Sequence, residues 1–384
     1  MNISEYFRFA ELAQAAYYDL QSGIVDPDVL YDDGDGMAKK QAEDFADNWT
    51  VLDQYDGMVE DTYYDEFGDE QTFLNPTGLS VTLFDDGKGN QVVAIRGTDD
   101  LDDFVTDFID IALLGTTEFQ AQYSALSAQV QTWIVDGTLQ SDFSVVGHSL
   151  GGFLAQALTG EFDSYISHTY TYNAPGFTVQ PGITNIATEI MDLLGIANAS
   201  VPEEKITNIR ALEGIFATAG LGQMIGDIQV ISIEDQAPSL WANHYMVNTV
   251  DSLAVYNLFA QVDSTLTIDE VTGIIRASSN KADHTLESAV TALGKLFVTG
   301  FTPRSGSEYD TNRDDLYTDI DKITDKLANT SGLSIEVLAT TDTEGNVTPF
   351  SPTAIETQAR NNIAYRYALV NLNPFAVVEE QVAA

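Results

Sequence analysis

Ser149 lies in the run S-V-V-G-H-S-L-G-G (144–152), with one glycine two residues before it and another two residues after. Val145 and Val146 lead into the run, and Phe153, Leu154, Ala155, Ala157 and Leu158 lead out. A β-branched stretch, a tight turn and a helical stretch in that order form a G-x-S-x-G elbow, the setting that presents a nucleophilic serine above a sheet. The flanking glycines let strand and helix approach closely, so a strained serine can stand clear of both. A serine hydroxyl is too weakly acidic to attack an ester unaided and needs an adjacent base, usually imidazole.

The chain has four histidines, which narrows the choice of base. His148 adjoins the serine in sequence and points off the other side of the turn. His168 falls inside an expected strand, and His284 opens an expected helix. His244 follows the last expected strand in a polar loop, in the chain order serine, acid, histidine. The third member should be a carboxylate just past a strand end, where it fixes the imidazole tautomer. Glu213 directly follows the strand-like run 205–212, and Asp227 follows Gly226 on the approach to the next strand. Both stay open as the acid, with Glu234 and Asp235 as more distant alternatives. A developing oxyanion needs two donors aimed at it. Leu150 supplies one through its backbone N–H. Thr98, after Ile95-Arg96-Gly97 at a strand end, is the candidate for the other.

Positioning these groups takes alternating strands and helices. Residues 79–84 and 91–96 are β-rich and flank D-D-G-K-G-N, a hairpin turn. Further strands are expected at 165–172, 205–212 and 229–233. Amphipathic helices are expected at 3–18, 99–114, 118–136, 184–197 and 249–262. This alternation, with crossovers long enough to return parallel, predicts an α/β fold. Residues 26–70 read as loop-rich and acidic. Within them Y-D-D-G-D-G (31–36) offers carboxylates to a calcium ion, although its ligand spacing is incomplete. From 263 onward the character changes. Thr267 and Glu270 form a capping box, and helices are expected at 283–298, 310–328 and 352–371. The expected domains are therefore 1–262, catalytic, and 263–384, mainly helical and packed on it.

Composition sets limits. In 384 residues there are 59 acidic and 16 basic side chains, a formal charge of −43. No basic patch is available to neutralise phosphates, which argues against a nucleic-acid partner. There is no cysteine, so neither disulfides nor cysteine-ligated metals arise. No apolar run approaches the roughly 20 residues that span a bilayer. The first 20 residues lack the features of a cleaved secretory signal.

Ile95-Arg96-Gly97-Thr98, Asp107 and Gly147–Gly152 (G-H-S-L-G-G) together resemble the class 3 lipases. The resemblance implies an α/β-hydrolase fold, with a mostly parallel central sheet, flanking helices and a mainly helical C-terminal region. It also implies Thr98 as the oxyanion residue and part of 99–114 as an amphipathic lid. Tyr172–Gly176, Asn208–Gly214, Asn243-His244, Asp251–Tyr256 and Ala364–Phe375 are similar to bacterial RTX-type extracellular lipases and phospholipases A1. What this implies is a serine carboxylic-ester hydrolase acting on lipid esters at a lipid–water interface, secreted without a cleaved N-terminal signal. It needs no cofactor for its chemistry, and calcium would serve stability. A polyester-degrading esterase and a non-catalytic α/β-hydrolase-like binding module are the alternatives.

Overall fold

The computed structural model describes residues 2–31, 36–64, 70–97, 117–176, 201–212, 224–234, 242–281, 283–306, 308–342 and 346–379. Eight strands form one sheet in the order of the chain: β1 (Gly23–Ile24), β2 (Thr50–Tyr64), β3 (Glu70–Asp85), β4 (Gln91–Ile95), β5 (Phe143–His148), β6 (Ile166–Tyr172), β7 (Ile206–Ala211) and β8 (Asp227–Ile231). Pairing is antiparallel from β1 to β4 and parallel from β4 to β8. The hairpin expected around D-D-G-K-G-N is the β3–β4 pair.

Helices α1 (Ile3–Ala15), α2 (Thr117–Asp136), α3 (Leu150–Glu161) and α4 (Met246–Val262) cover the sheet. Successive side chains of a strand point to opposite faces, and here both faces are covered. Val92, Ala94, Val146, Tyr170 and Ile209 face one core, shared with Phe9 and Leu12 of α1 and with Val250 and Leu253 of α4. Val93, Ile95 and Val145 face the other, shared with Leu126 and Val130 of α2 and Leu154 and Leu158 of α3. Helix α3 is buried along its length from Leu150 to Gly160, which explains why its sequence is apolar on every side. This is an α/β-hydrolase fold, in which a mostly parallel sheet presents a strand-to-helix elbow at the carboxyl end of a central strand.

The C-terminal region is mainly helical, with α5 (Ile268–Ser278), α6 (Thr285–Phe297), α7 (Arg313–Leu327), α8 (Pro352–Asn361) and α9 (Ile363–Asn371). Val271, Ile274, Val290, Leu293, Leu316 and Ile323 join the core that α1 and α4 form over the sheet. The expected capping box is present. Thr267 N–H donates to Glu270 Oε2 at 2.9 Å, and Glu270 N–H donates to Thr267 Oγ1 at 3.2 Å. Two small antiparallel pairs were not expected: β9 (Leu333–Val337) with β12 (Phe375–Glu379), and β10 (Ala339–Thr341) with β11 (Val347–Pro349). The helix expected over 352–371 is two helices. It breaks at Asn362, whose extended backbone ends α8 and whose side chain accepts from Ala364 N–H to cap α9.

Other expectations also differ from the structure. The stretch 26–70 contains a helix over Lys39–Asn48 and all of β2. That helix buries only Gln41, Ala42 and Phe45, too little apolar surface to show as a periodic pattern among the acids. The expected helices at 99–114 and 184–197 lie outside the described residues. So do residues 32–35 of the candidate calcium loop. Among the described residues no cluster of three or more histidines and carboxylates could hold a metal ion. Nor is any described helix long and apolar enough to cross a membrane.

An ion pair fastens the C-terminal region to the sheet-bearing one. Arg313 of α7 donates from Nε and Nη2 to the two oxygens of Asp251 on α4, at 2.6 and 2.7 Å. Tyr317 Oη donates to the same carboxylate at 2.9 Å, and Arg313 Nη1 donates to the Gly36 carbonyl. Asp251 is buried, so removing its partner strands a charge away from water. Arg313→Met is expected to destabilise the fold by about 3–5 kcal/mol, read as a lowered denaturant midpoint.

Candidate active site

Strand β5 ends at His148 and helix α3 begins at Leu150, so a single residue, Ser149, makes the turn between them. Its backbone adopts φ 54° and ψ −125°, a region that non-glycine residues rarely occupy. The turn closes because Gly147 has no side chain. A Cβ there would meet the backbone of Gly151 and, at 2.6 Å, the nitrogen of Gly152. Ser149 N–H donates to the Tyr172 carbonyl at 2.9 Å, and the Ser149 carbonyl accepts from Gly152 N–H at 3.0 Å. The serine is wholly shielded from solvent.

His244 reaches it from the segment between β8 and α4. Its Nε2 lies 3.0 Å from Ser149 Oγ, across 95 residues of sequence. This is the hydrogen-bond distance a general base needs to take a hydroxyl proton. The other three histidines are engaged elsewhere. His168 Nε2 pairs with Thr207 Oγ1 at 2.9 Å between β6 and β7, and His284 Nε2 lies 3.6 Å from Asp283. His148 is buried beside His244, with the two ring centroids 4.9 Å apart. Its Nε2 meets the His244 carbonyl oxygen at 2.9 Å and its Nδ1 meets Tyr17 Oη at 2.7 Å.

Asn173, directly after β6, braces this end of the sheet. At φ 45° it turns its amide toward two neighbouring elements. Its side-chain oxygen accepts from Ala211 N–H at the end of β7, and its nitrogen donates to Thr249 Oγ1 in the first turns of α4. The segment carrying His244 is thereby tied to the same end of the sheet as the serine.

The remaining expected residues divide. Leu150 is the first residue of α3, so its N–H has no acceptor within the helix and sits directly after Ser149. Thr98 and Glu213 lie outside the described residues, as does Asp235. Glu234 is buried with Oε1 accepting from Leu286 N–H at 2.8 Å, which makes it a cap for the amino end of α6. Asp227 requires a correction. Strand pairing sets it level with Thr207, Tyr170 and Val146 in turn, three strands across from β5 and three residues short of the serine. At about 4.8 Å per strand that is roughly 14 Å sideways alone. It is exposed, and its carboxylate accepts from Gln229 Nε2 at 2.6 Å. Asp227 opens β8, whereas the elbow lies at the opposite, carboxyl end of the sheet.

Tyr17 is the site residue that sequence reading passed over. It follows α1 and reads as one more apolar residue of an amphipathic stretch. Its one signal is chemical: a tyrosine hydroxyl in an apolar setting needs a polar partner.

Burial dominates the electrostatics. It holds the His244 imidazolium well below the usual histidine range, and the neighbouring His148 pushes it lower still. Burial likewise lowers His148, to about 4, against a hydrogen bond to the His244 carbonyl that acts in the other direction. Both rings are therefore neutral at neutral pH.

No protein-family model matches the sequence, and comparison with curated proteins finds no match. Solved structures similar to this chain include Lip2 lipase from Yarrowia lipolytica, at 17% identity, covering 60% of this chain and 79% of that one with a TM-score of 0.35. A triacylglycerol lipase from Penicillium expansum is similar at 18% identity, covering 61% and 81% with a TM-score of 0.31. Likeness at this level says nothing about the site, whose reading rests on its own residues.

Two outcomes are expected. A base must be neutral to accept a proton, and a lowered pKa keeps it neutral into acid. The acid limb of kcat/KM on a soluble ester should thus fall below the ordinary histidine value of about 6.5. Asp227→Asn should leave kcat within about twofold, whereas loss of a true triad acid lowers it by about 10⁴.

Proposed function

We propose that the chain is a serine carboxylic-ester hydrolase acting on lipid esters. The observation that carries this reading is the 3.0 Å approach of His244 Nε2 to Ser149 Oγ at a left-handed strand-to-helix turn. Ser149 Oγ attacks the ester carbonyl carbon while its proton passes to His244 Nε2. The carbonyl oxygen becomes an oxyanion, held by the Leu150 N–H and by Thr98. As the tetrahedral intermediate collapses, the C–O bond to the alcohol breaks, and His244 returns the proton to that leaving oxygen. Water then attacks the acyl-enzyme with His244 again as base, releasing the carboxylic acid and restoring the serine. Glu213 is our assignment for the acid that orients His244, since Asp227 opens its strand at the far end of the sheet.

Lipid esters are the substrate class because of the resemblance to class 3 lipases and to RTX-type lipases and phospholipases A1. A chain of charge −43 meets neutral or zwitterionic lipid more easily than an anionic surface. Secretion, and calcium as a stabilising ion, belong to the same proposal. None of the chemical steps draws on a cofactor.

The test is hydrolysis of p-nitrophenyl esters of several acyl lengths beside phosphatidylcholine and a triacylglycerol emulsion. Wild type should turn over at least one of them, and Ser149→Ala should lose about 10⁴-fold or more in kcat. An inactive wild type would sink the enzyme reading in favour of a binding module. An active Ser149→Ala would sink this mechanism.

A further inference from the structure

We propose that Tyr17 and His148 are positioning residues, forming one directed hydrogen-bond chain from the Gly97 peptide to the main chain of His244. This inference rests on the esterase reading for its consequence, and on hydrogen-bond geometry and the burial of His148 for the chain itself.

The two ends of the chain have fixed roles. Gly97 N–H can only donate, and it donates to Tyr17 Oη at 3.2 Å. The His244 carbonyl can only accept, so His148 Nε2, at 2.9 Å, must carry a hydrogen. A neutral imidazole has a single N–H, which leaves Nδ1 as an acceptor. Tyr17 Oη, at 2.7 Å, supplies the hydrogen that Nδ1 needs. Gly97 N–H to tyrosine, tyrosine O–H to imidazole and imidazole N–H to carbonyl then run in one direction, with the neutral form of His148 satisfying all three bonds.

Each end of this chain borders a part of the reaction. Gly97 lies two residues past β4, immediately before the candidate oxyanion residue. A Cβ on Gly97 would lie 2.6 Å from Tyr17 Oη, 2.7 Å from the His148 carbonyl and 3.1 Å from Ser149 Cβ. That peptide is therefore packed against both the relay and the nucleophile. The other end holds the backbone of the base itself. Tyr17 and His148 thus fix the oxyanion side and the proton-accepting side of Ser149 relative to each other. Neither of them touches the reacting atoms.

The direction of the chain has a second effect. His244 becomes a cation when it takes the serine proton, with the His148 ring 4.9 Å away. A proton on His148 Nδ1 would set like charges at that separation, which disfavours the transition state. Tyr17 O–H occupies the nitrogen where that proton would go.

The test compares wild type with Tyr17→Phe, His148→Gln and His148→Leu on soluble p-nitrophenyl butyrate. Tyr17→Phe removes one oxygen and should lower kcat about tenfold to a hundredfold, with KM within about twofold and the thermal midpoint little changed. His148→Gln keeps a donor near the Nε2 position and should retain more activity than His148→Leu. A Tyr17→Phe enzyme with wild-type kcat would overturn the proposal, as would equal losses in the two His148 variants. Nitrogen NMR of the histidine side chains reads the chain without turnover. His148 should be protonated at Nε2 and bare at Nδ1, and the Nδ1 signal should shift in Tyr17→Phe. The opposite tautomer overturns the chain even in an active enzyme. An inactive wild type showing the expected tautomer would instead count against the esterase reading, leaving the chain in place.

Discussion

Holding a serine at φ 54° and ψ −125° costs about 1–3 kcal/mol, and it persists because its surroundings leave it no alternative. Its N–H is fixed by β6 and its carbonyl by the first turn of α3. The strand before it is buried on both faces and the helix after it on all sides. Relaxing the turn would mean lifting α3 out of its core or breaking the end of the parallel sheet. The geometry of Ser149 is therefore an outcome of packing across the domain. The same packing takes water away from the neighbouring imidazoles, which favours their neutral forms.

The parts of the site that could be read from sequence are those whose signal is local. Ser149 announces itself through the glycines at fixed offsets, because the close approach of β5 and α3 excludes any side chain at Gly147. His244 can be singled out among four histidines because the other three fall in or beside expected elements. Relationships that depend on strand register are not local. The neighbourhood of Asp227 puts it just before an expected strand, but how far it lies from the elbow follows from pairing with residues about 20 positions away. Tyr17 is hidden more deeply still. It lies 131 residues from its imidazole partner, and its hydroxyl leaves no mark on an apolar pattern. At the level of elements, the parallel strands and their covering helices are legible through apolar periodicity. The break at Asn362 and the strands of the C-terminal region are not, because short polar caps and edge pairs carry little periodic signal.

The scarcity of cations gives the charged interior its logic. With 16 basic against 59 acidic residues, positive charge is available at few positions. Some of it lies where carboxylates have been withdrawn from water. Arg313 meets the buried Asp251, while Arg304 donates at 2.8 Å each to the buried Asp319 and to the half-exposed Asp315, with Lys322 completing the cluster at Asp319. Unpaired, such buried carboxylates would weaken the fold, whereas acids in contact with solvent are relieved by screening ions. Surface acidity and internal pairing are two sides of one distribution.

The span of chain between the partners at the elbow bears on how the molecule comes to function. Tyr17 is made well before the elbow, its partner His148 follows 131 positions later, and His244 arrives 95 positions after the serine. During synthesis Ser149 therefore exists for a long stretch of chain without its histidine partner. Contacts of such long range close late in folding, after the local elements have formed. The pairing of Ser149 with His244 would then form as a single late event of folding.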